Sequence, residues 1–411
     1  MFTQGRPRHP HISLLRNLLI LFLFLTLLLV FLWHQRISRG NGEYIVETKS
    51  GKELALEAFK FLEVLHRPDN IIQGIECKNN ESCTSIKSVN PPAAIAWQIQ
   101  ANAKLYHESK SSKYLENISK LFEMFDKFKK HPLLSLQLEV NLSQLIEGFK
   151  ASRNFDVLRL IVPTLQDIRT QVNTKGPLSI VAKDQMVASL IAGELADFYG
   201  LLGDPTVIEY LKNNWLPKKY TDSDLQAYRD SFKIASSKII DELHASGEMT
   251  QAGGLAIPIL EPQDFSCFVQ LAKSKLYNAT KDAPLLNQII EYFDKADFES
   301  KDTGDVRFNV IQPALACAET LKNIITVRPE LEKDLHAIIS KFILSRFDYS
   351  RRPICTGDNG FLGSMGEGFT CAGTLKLISD SAWAVSILAD LKMQFDISSK
   401  RIANDVGASS D

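Results

Sequence analysis

Three aspartates stand where apolar helical segments begin, and their carboxyl groups could work together. Asp184 precedes QMVASLI, Asp264 precedes FSCFVQL and Asp380 precedes SAWAVSI. Paired carboxyl groups perform acid–base chemistry, because one donates a proton while the other activates water or attacks directly. We predict these three as catalytic residues. Asp is also a preferred N-cap that accepts bonds from free backbone N–H groups, so helix capping stays open as the alternative for each.

Four residues on similar segments are predicted to bind a substrate. Asn90 and Gln312 open two further apolar segments, PPAAIAW and PALACAE. Trp97 and Trp383 lie near the starts of their segments and offer aromatic faces to a ligand. At helical spacing, packing in the core is the alternative explanation for both tryptophans.

A long glycine-rich loop is predicted over residues 349–374, with six glycines. Loops of this length without secondary structure are uncommon and are often functional. Asp358 and Arg351 are its predicted substrate-binding residues, since a guanidinium can bind an anionic group. The alternative is a surface loop closed by a disulfide between Cys355 and Cys371.

Six cysteines occur in the sequence. Pairing of Cys77 with Cys83 and of Cys355 with Cys371 would suit an oxidising compartment, and free thiols are the alternative. Cys267 and Cys317 each lie within a helical pattern.

The elements that must position these residues are paired helices. Four times, an aromatic residue near the end of one helical segment is followed, nine positions later, by an aliphatic residue that begins the next: Tyr106 and Leu115, Phe149 and Leu158, Tyr199 and Ile208, Tyr277 and Leu286. Repeated helical hairpins need neighbours to bury their apolar faces.

The two helices of a pair differ in composition. The first is rich in small and apolar residues and the second carries more Lys and Glu, as expected of a buried inner helix and an amphipathic outer one. About six pairs fit between residues 51 and 396. We therefore predict an all-α fold, an (α/α) toroid of about six helical hairpins, preceded by one transmembrane helix.

This pattern resembles the six-hairpin, or (α/α)6-toroid, superfamily of glycosidases and related enzymes. The residues that carry the resemblance are 96–115, 265–286 and 381–391. It implies a carbohydrate-active protein with a glycan ligand, a glycoside hydrolase or a related lyase or epimerase, that acts through paired carboxylates. It assigns no individual residue. Three alternatives stay open: an open helical solenoid, a non-catalytic binding or scaffold domain, and a toroid that binds glycans without cleaving them.

An apolar run near the N-terminus predicts a membrane anchor. Residues 14–33 are long enough to span a bilayer, and Trp33 would lie at the interface. A cleaved signal peptide is the alternative. The arginines before the run favour a cytoplasmic tail at 1–13 and an extracytoplasmic main domain. The remaining predicted parts are a linker at 34–50, the toroid at 51–396 and a flexible tail at 397–411.

Charge and motif content exclude several classes of function. Beyond residue 39 the chain has 42 basic and 48 acidic residues, which disfavours nucleic-acid binding. No metal-ligand spacing, G-x-S-x-G elbow, dinucleotide fingerprint or P-loop occurs. We therefore expect no metal and no cofactor.

Overall fold

The computed structural model describes residues 47–65, 72–77, 83–87, 91–127, 141–181, 184–245, 262–296, 310–349, 355–363 and 374–397. The predicted anchor at 14–33 lies outside these residues, as do the predicted tail at 1–13 and nearly all of the predicted segment 397–411. Within the described ranges, no single helix is both long and apolar enough to cross a membrane. Two consecutive helices, Gln185–Leu201 and Pro205–Asn214, are together long and apolar enough by length and composition, but they meet at a bend of 97°.

Helices make up most of the described chain. In order they are α1 (Gly51–Leu65), α2 (Pro91–Ser109), α3 (Ser112–Lys127), α4 (Leu142–Ser152), α5 (Leu158–Lys175), α6 (Leu178–Val181), α7 (Gln185–Leu201), α8 (Pro205–Asn214), α9 (Asp222–Ala245), α10 (Pro262–Thr280), α11 (Ala283–Ala296), α12 (Ile311–Ile324), α13 (Glu332–Ile338) and α14 (Ile378–Leu388). A π-helical turn (Ile339–Ile343) and a 3-10 turn (Leu344–Arg346) extend α13.

The helices form two concentric rings. The inner helices are α2, α4, α7, α10, α12 and α14; each contacts the next, and α14 contacts α2. Outside them, α3, α5, α9, α11, α13 and α1 pack on α2, α4, α7, α10, α12 and α14 respectively. The ring is therefore closed, which confirms the predicted toroid and excludes the open solenoid.

Composition explains which helices lie inside. The inner helix α7 buries residues around its whole circumference, because it is apolar on nearly every side. Small residues let the inner helices come close: a Cβ on Gly148 of α4 would lie 2.2 Å from the Ile99 side chain of α2. Phe149 and Phe198 are fully buried, and burial of such a side chain contributes about 1.5–3 kcal/mol.

The nine-residue offset has a local structural cause. In three of the four hairpins the residue four positions after the aromatic is basic and has a positive φ, and its N–H donates to the carbonyl of the aromatic residue: Lys110 to Tyr106, Arg153 to Phe149, Lys281 to Tyr277. Each cation also lies 5.2–5.8 Å from the centre of that aromatic ring. This left-handed C-cap with a cation–π contact ends the inner helix and turns the chain outward.

Short strands modify the all-α prediction. β1 (Thr48–Ser50) pairs antiparallel with β7 (Gln394–Asp396) and joins the two ends of the described domain. A three-stranded sheet has the order β3 (Cys83–Lys87), β2 (Ile72–Cys77), β6 (Thr374–Leu377), and β4 (Phe347–Asp348) pairs with β5 (Gly360–Phe361). These strands were not predicted, because each has six residues or fewer, too few for a clear alternating pattern.

One disulfide was not predicted. Cys267 on α10 and Cys317 on α12 are bonded, with 4.8 Å between their Cα atoms, and so link two neighbouring inner helices. Cys355 is also disulfide-bonded, whereas its predicted partner Cys371 lies outside the described residues. The backbones of Cys77 and Cys83 lie opposite each other in the β2–β3 hairpin.

Candidate active site at the ring axis

The six inner helices surround a narrow cavity on the axis of the ring. Every one of them contributes to its lining, with Trp97, Gln144, Glu194, Lys275, Glu319 and Trp383 coming from α2, α4, α7, α10, α12 and α14 in turn. The free space holds about one water molecule. Ring closure therefore brings aromatic, amide, acidic and basic groups together although they are far apart in the sequence.

The two predicted tryptophans meet at this cavity. The rings of Trp97 and Trp383 lie 4.8 Å apart with an angle of 32° between their planes. The indole N–H of Trp383 donates to Oε2 of Glu319 at 2.5 Å. The two rings pack on each other in the core. Their side chains also line the cavity, so both tryptophans belong to the candidate site.

Glu194 is the most unusual acid of the cavity. Its Oε1 accepts from the backbone N–H of Leu142 at 2.8 Å, so it caps the start of α4, where Asn141 supplies no side-chain cap. Its Oε2 is buried without a hydrogen-bond partner. Burial raises the pKa of Glu194 well above its usual value, against the lowering effect of the Leu142 N–H and of Lys275. This carboxyl group can hold a proton at a pH where most glutamates are ionised.

Two amides add further unpaired acceptors. Gln100 and Gln144 line the same cavity, and Oε1 of each is buried without a partner, as is Oε2 of Glu194. An unsatisfied buried acceptor costs about 1–3 kcal/mol. Such atoms need a donor from water or from a bound molecule. A ligand rich in hydroxyl groups would supply several donors at once.

Lysine side chains form ion pairs with other acidic residues near the axis of the ring. Lys275 Nζ lies 2.9 Å from Oδ2 of Asp197 and donates to Ser143 Oγ at 2.9 Å. Burial alone would lower the pKa of Lys275, but the nearby carboxylates of Asp197 and Glu319 outweigh it and the pKa lies above its usual value. Further along the inner helices, Lys104 pairs with Glu147 at 2.7 Å.

The predicted catalytic aspartates have different surroundings. Asp184 is the N-cap of α7, and its Oδ1 accepts from the N–H of Val187 at 3.1 Å, as the capping alternative expects. Asp264 falls within α10, but its side chain lies outside what the structure describes. Asp380 is not an N-cap, because α14 begins two residues earlier and Leu377 holds the cap position.

Asp380 is buried beside the predicted residue Gln312. Both carboxylate oxygens accept from Gln312 Nε2 at 2.9 Å, and the residue is only 2% exposed. Burial raises the pKa of Asp380 to about 7. A Cβ on Gly363 would lie 2.8 Å from Oδ2 of Asp380 and 2.9 Å from the carbonyl of Leu375, so only glycine fits there.

A buried ion pair fixes the described part of the glycine-rich loop. Lys376 is fully buried and pairs with the equally buried Asp348. It also lies 2.9 Å from Oδ1 of the predicted residue Asp358. The Asp348 carboxylate accepts from the backbone N–H groups of Cys355, Thr356 and Gly357, at 2.8–3.1 Å. The loop therefore folds around this pair, and Asp358 is held by Lys376. Two other predicted binding residues, Asn90 and Arg351, lie outside the described residues.

Sequence reasoning missed Glu194, Glu319 and Lys275. All three lie within inner helices, whereas the predicted catalytic residues were expected at helix starts. Their signal was available: a charged residue inside a segment that is apolar on nearly all sides, as in IAGELADF. In the described ranges no group of His, Cys, Asp and Glu is arranged to hold a metal ion.

Comparison with known proteins identifies the fold. No family model matches the sequence, and no curated protein matches it. An unsaturated glucuronyl hydrolase specific for heparin matches the structure with a TM-score of 0.54 at 10% identity, over 82% of this chain and 95% of that chain.

Two further solved structures agree. An inactive variant of an alpha-1,6-mannanase from Salegentibacter sp. HEL1_6, in complex with alpha-1,6-mannotetrose, has a TM-score of 0.53 at 12% identity, over 83% of this chain and 98% of that chain. A glycosyl hydrolase family 88 protein from Bacteroides vulgatus has a TM-score of 0.51 at 7% identity, over 83% and 99%. The chain thus has the (α/α)6-toroid fold of the six-hairpin glycosidase-like proteins.

Proposed function

We propose that this chain is a carbohydrate-active protein, a glycoside hydrolase, with its reaction centre at the axial cavity. The observation that carries the proposal is Glu194, a buried carboxyl group with a raised pKa and one unpaired oxygen in a cavity lined by all six inner helices. Glycosidic bond cleavage needs a carboxyl group that keeps its proton near neutral pH.

The chemistry assigns different roles to two acids. Glu194 donates its proton to the oxygen of the leaving sugar. Glu319 is the second carboxyl group, which either activates the water that attacks the sugar carbon or attacks that carbon itself before water releases the product. The Trp383 indole donates to Glu319 and holds it in place. Gln100 and Gln144 offer acceptor oxygens to sugar hydroxyl groups. The free space beside the acids has room for one water molecule, so a sugar ring enters only when the side chains that line the cavity move apart.

The predicted aspartates remain candidates beside this pair. Asp380 is the stronger of the described two, because burial raises its pKa to about 7 and it caps no helix. Asp184 is engaged in capping α7. A catalytic role for Asp184, Asp264 or Asp380 stays a prediction, as does substrate binding by Asn90, Arg351 and Asp358.

The similar structures support a glycan as the class of ligand, but they do not identify the residues of this chain that would act on it. One of them holds an alpha-1,6-mannotetrose and is inactive with two adjacent aspartates replaced. No two aspartates are adjacent anywhere in this sequence. If this chain cleaves glycans, it therefore uses acids with a different spacing.

A panel of polysaccharides tests the proposal. The purified full-length chain in detergent is incubated with each polymer, and released sugars are detected by mass spectrometry. Wild type should release product from at least one polymer. Replacement of Glu194 or Glu319 by Gln should reduce turnover by about 10²–10⁴-fold without loss of thermal stability. Asp380→Asn and Asp184→Asn test the predicted aspartates, and Asp294→Asn, an exposed replacement on α11, is the matched control.

A second candidate function is glycan binding without cleavage. It is favoured by the pairing of acids with lysines near the axis, as for Asp197 with Lys275 and Glu147 with Lys104. In that case a polymer binds, wild type releases no product, and the Gln variants change affinity only.

We also propose that residues 14–33 anchor the chain in a membrane, with the toroid outside the cytoplasm. The apolar run supports the anchor. The bond between Cys267 and Cys317 supports an oxidising compartment. Protease treatment of intact cells tests this: the toroid should be cleaved from outside, and its full protection would contradict the proposed orientation.

A further inference from the structure

A second cavity lies on the outside of the ring, between α5, α9 and the segment that connects α8 to α9. This outer groove is lined by residues that include Gln166, Arg169, Trp215, Leu216, Tyr220 and Tyr228, and its volume is about 640 Å³. It shares no lining residue with the axial cavity. Small-molecule pockets have typical volumes of about 300–1,000 Å³, so the groove has room for several sugar units.

Two aromatic side chains of the groove are exposed. Trp215 is 38% exposed and Tyr220 is 37% exposed, which places both among the large apolar side chains that the described fold leaves in solvent. A Trp and a Tyr five positions apart on one groove present ring faces that the domain does not use for its own core. Ring faces of this kind stack on the apolar faces of other rings.

The segment that carries these rings is held in place. The N–H groups of Trp215 and Leu216 both donate to the carbonyl of Leu211 at 2.8 Å, and that of Tyr220 donates to Pro217. Thr221 and Asp224 then form a reciprocal cap at the start of α9. The aromatic rings therefore stand on a backbone fixed at both ends, which lowers the entropic cost of binding.

Polar groups lie beside the rings. The Arg169 guanidinium is packed 5.3 Å from the ring centre of Tyr228, and it donates to Ser231 at 3.0 Å. An arginine has five N–H donors, so others are available to a ligand. Gln166 donates its Nε2 to the Tyr228 hydroxyl at 2.9 Å, which leaves its carbonyl oxygen as an acceptor. The groove thus combines stacking surfaces with fixed donors and acceptors.

We propose that the outer groove binds a neutral oligosaccharide, stacked on Trp215 and Tyr220 and hydrogen-bonded by Gln166 and Arg169. Asp167 and Asp224 also line the groove and offset the charge of Arg169, which disfavours a polyanionic glycan. The site is separate from the proposed reaction centre and does not depend on hydrolysis there.

A polypeptide suits the groove less well. This part of the domain consists of helices, so no free strand edge is available for main-chain pairing. Proline-rich segments bind aromatic grooves, but the Tyr228 hydroxyl is already bonded to Gln166 and Tyr228 is 7% exposed. The polar share of the lining favours the hydroxyl groups of a sugar.

Calorimetric titration of the full-length chain in detergent tests the groove. The probes are alpha-1,6-mannotetraose, maltotetraose and cellotetraose, with a heparin tetrasaccharide and a proline-rich decapeptide for comparison. At least one neutral tetrasaccharide should bind, and Trp215→Ala should weaken it about tenfold or more. Tyr220→Ala gives a second, independent variant, and Trp215→Phe should retain most of the affinity if the backbone is intact.

Two controls separate this site from the reaction centre. Ile234→Ala removes an exposed apolar side chain of α9 that does not line the groove, and should leave affinity unchanged. Glu194→Gln should also leave it unchanged, whatever it does to turnover. Tighter binding of the heparin probe or the peptide, or neutral-sugar affinity that is lost in Glu194→Gln and kept in both aromatic variants, would overturn the proposal.

Discussion

Buried carboxyl groups distinguish this domain at the scale of single residues. Asp380 and Glu194 are 2% and 1% exposed, and burial raises the pKa of each. Lys275 lowers the pKa of Glu194 and Arg346 lowers that of Asp380, but burial outweighs both cations. A protein keeps such groups at a cost in stability, which suggests that the protonated form is used.

The pH dependence of stability should report on Asp380. Its pKa is about 7 in the folded chain, against a usual value of 3.8. The folded state therefore binds a proton at Asp380 more tightly than the unfolded state, so the contribution of Asp380 to the free energy of unfolding is greatest below pH 4 and falls as the pH rises to 7. The loss should amount to roughly 4 kcal/mol.

Urea unfolding of Asp380→Asn at several pH values measures this. Between pH 4 and 7, the free energy of unfolding of the variant should decline less than that of wild type. Asp294→Asn, an exposed replacement on α11, should keep the wild-type slope. Identical slopes for Asp380→Asn and wild type would show that Asp380 ionises normally.

A second residue-scale prediction concerns the ion pair under the glycine-rich loop. Lys376→Met leaves the fully buried Asp348 without its cation. Removal of one partner of a buried pair costs about 3–5 kcal/mol, and thermal unfolding should show it. Lys295→Met breaks an exposed pair with Glu291 and should cost less than about 1 kcal/mol. Equal effects of the two replacements would contradict the role given to Lys376.

At the scale of elements, replacement of Asp184 tests whether this residue only caps its helix or is also part of a reaction centre. Asp184→Ala should lower the free energy of unfolding by about 1 kcal/mol, because the Val187 N–H loses its acceptor. Asp184→Asn keeps an acceptor oxygen and should be nearly neutral in a urea titration. If the Asn variant is stable but has lost all turnover, the capping explanation fails and the catalytic prediction stands.

The bond between α10 and α12 should stabilise the ring. Cys267 and Cys317 are separated by 50 residues, a loop for which the chain-entropy estimate is about 4 kcal/mol. Replacement of both cysteines by Ala should lower the free energy of unfolding by a comparable amount in urea. An unchanged midpoint would mean that the bond contributes little to folding.

Sequence patterns predicted the long elements and missed the short ones. The offset of nine between Phe149 and Leu158 marks a real turn, because the left-handed cap at Arg153 recurs at Lys110 and Lys281. The pairing of Cys267 with Cys317 was not predictable, since it depends on how two inner helices face each other. The hairpin of Cys77 and Cys83 was overlooked because its strands are short and lie beside a polar loop.

At the scale of the whole molecule, closure of the ring creates the candidate site. Contact between α14 and α2, and the pairing of β1 with β7, bring the beginning and the end of the domain together. Trp97 and Trp383 meet only for this reason. The reactive acids were predicted at helix starts, whereas Glu194 and Glu319, which line the described cavity, lie within their helices. The order of residues along the chain does not show how deep in the ring a given side chain of an inner helix lies.

The most direct test of the account is hydrolysis in water enriched in oxygen-18. The full-length chain is incubated with a polymer from the panel, and the newly formed chain ends are examined by mass spectrometry. Wild type should incorporate one oxygen-18 atom at each new reducing end, and Glu194→Gln should form about 10²–10⁴-fold fewer such labelled ends in the same time. Unlabelled product, as many labelled ends from the variant as from wild type, or no product from any polymer would contradict the claim that the ring axis hydrolyses glycans.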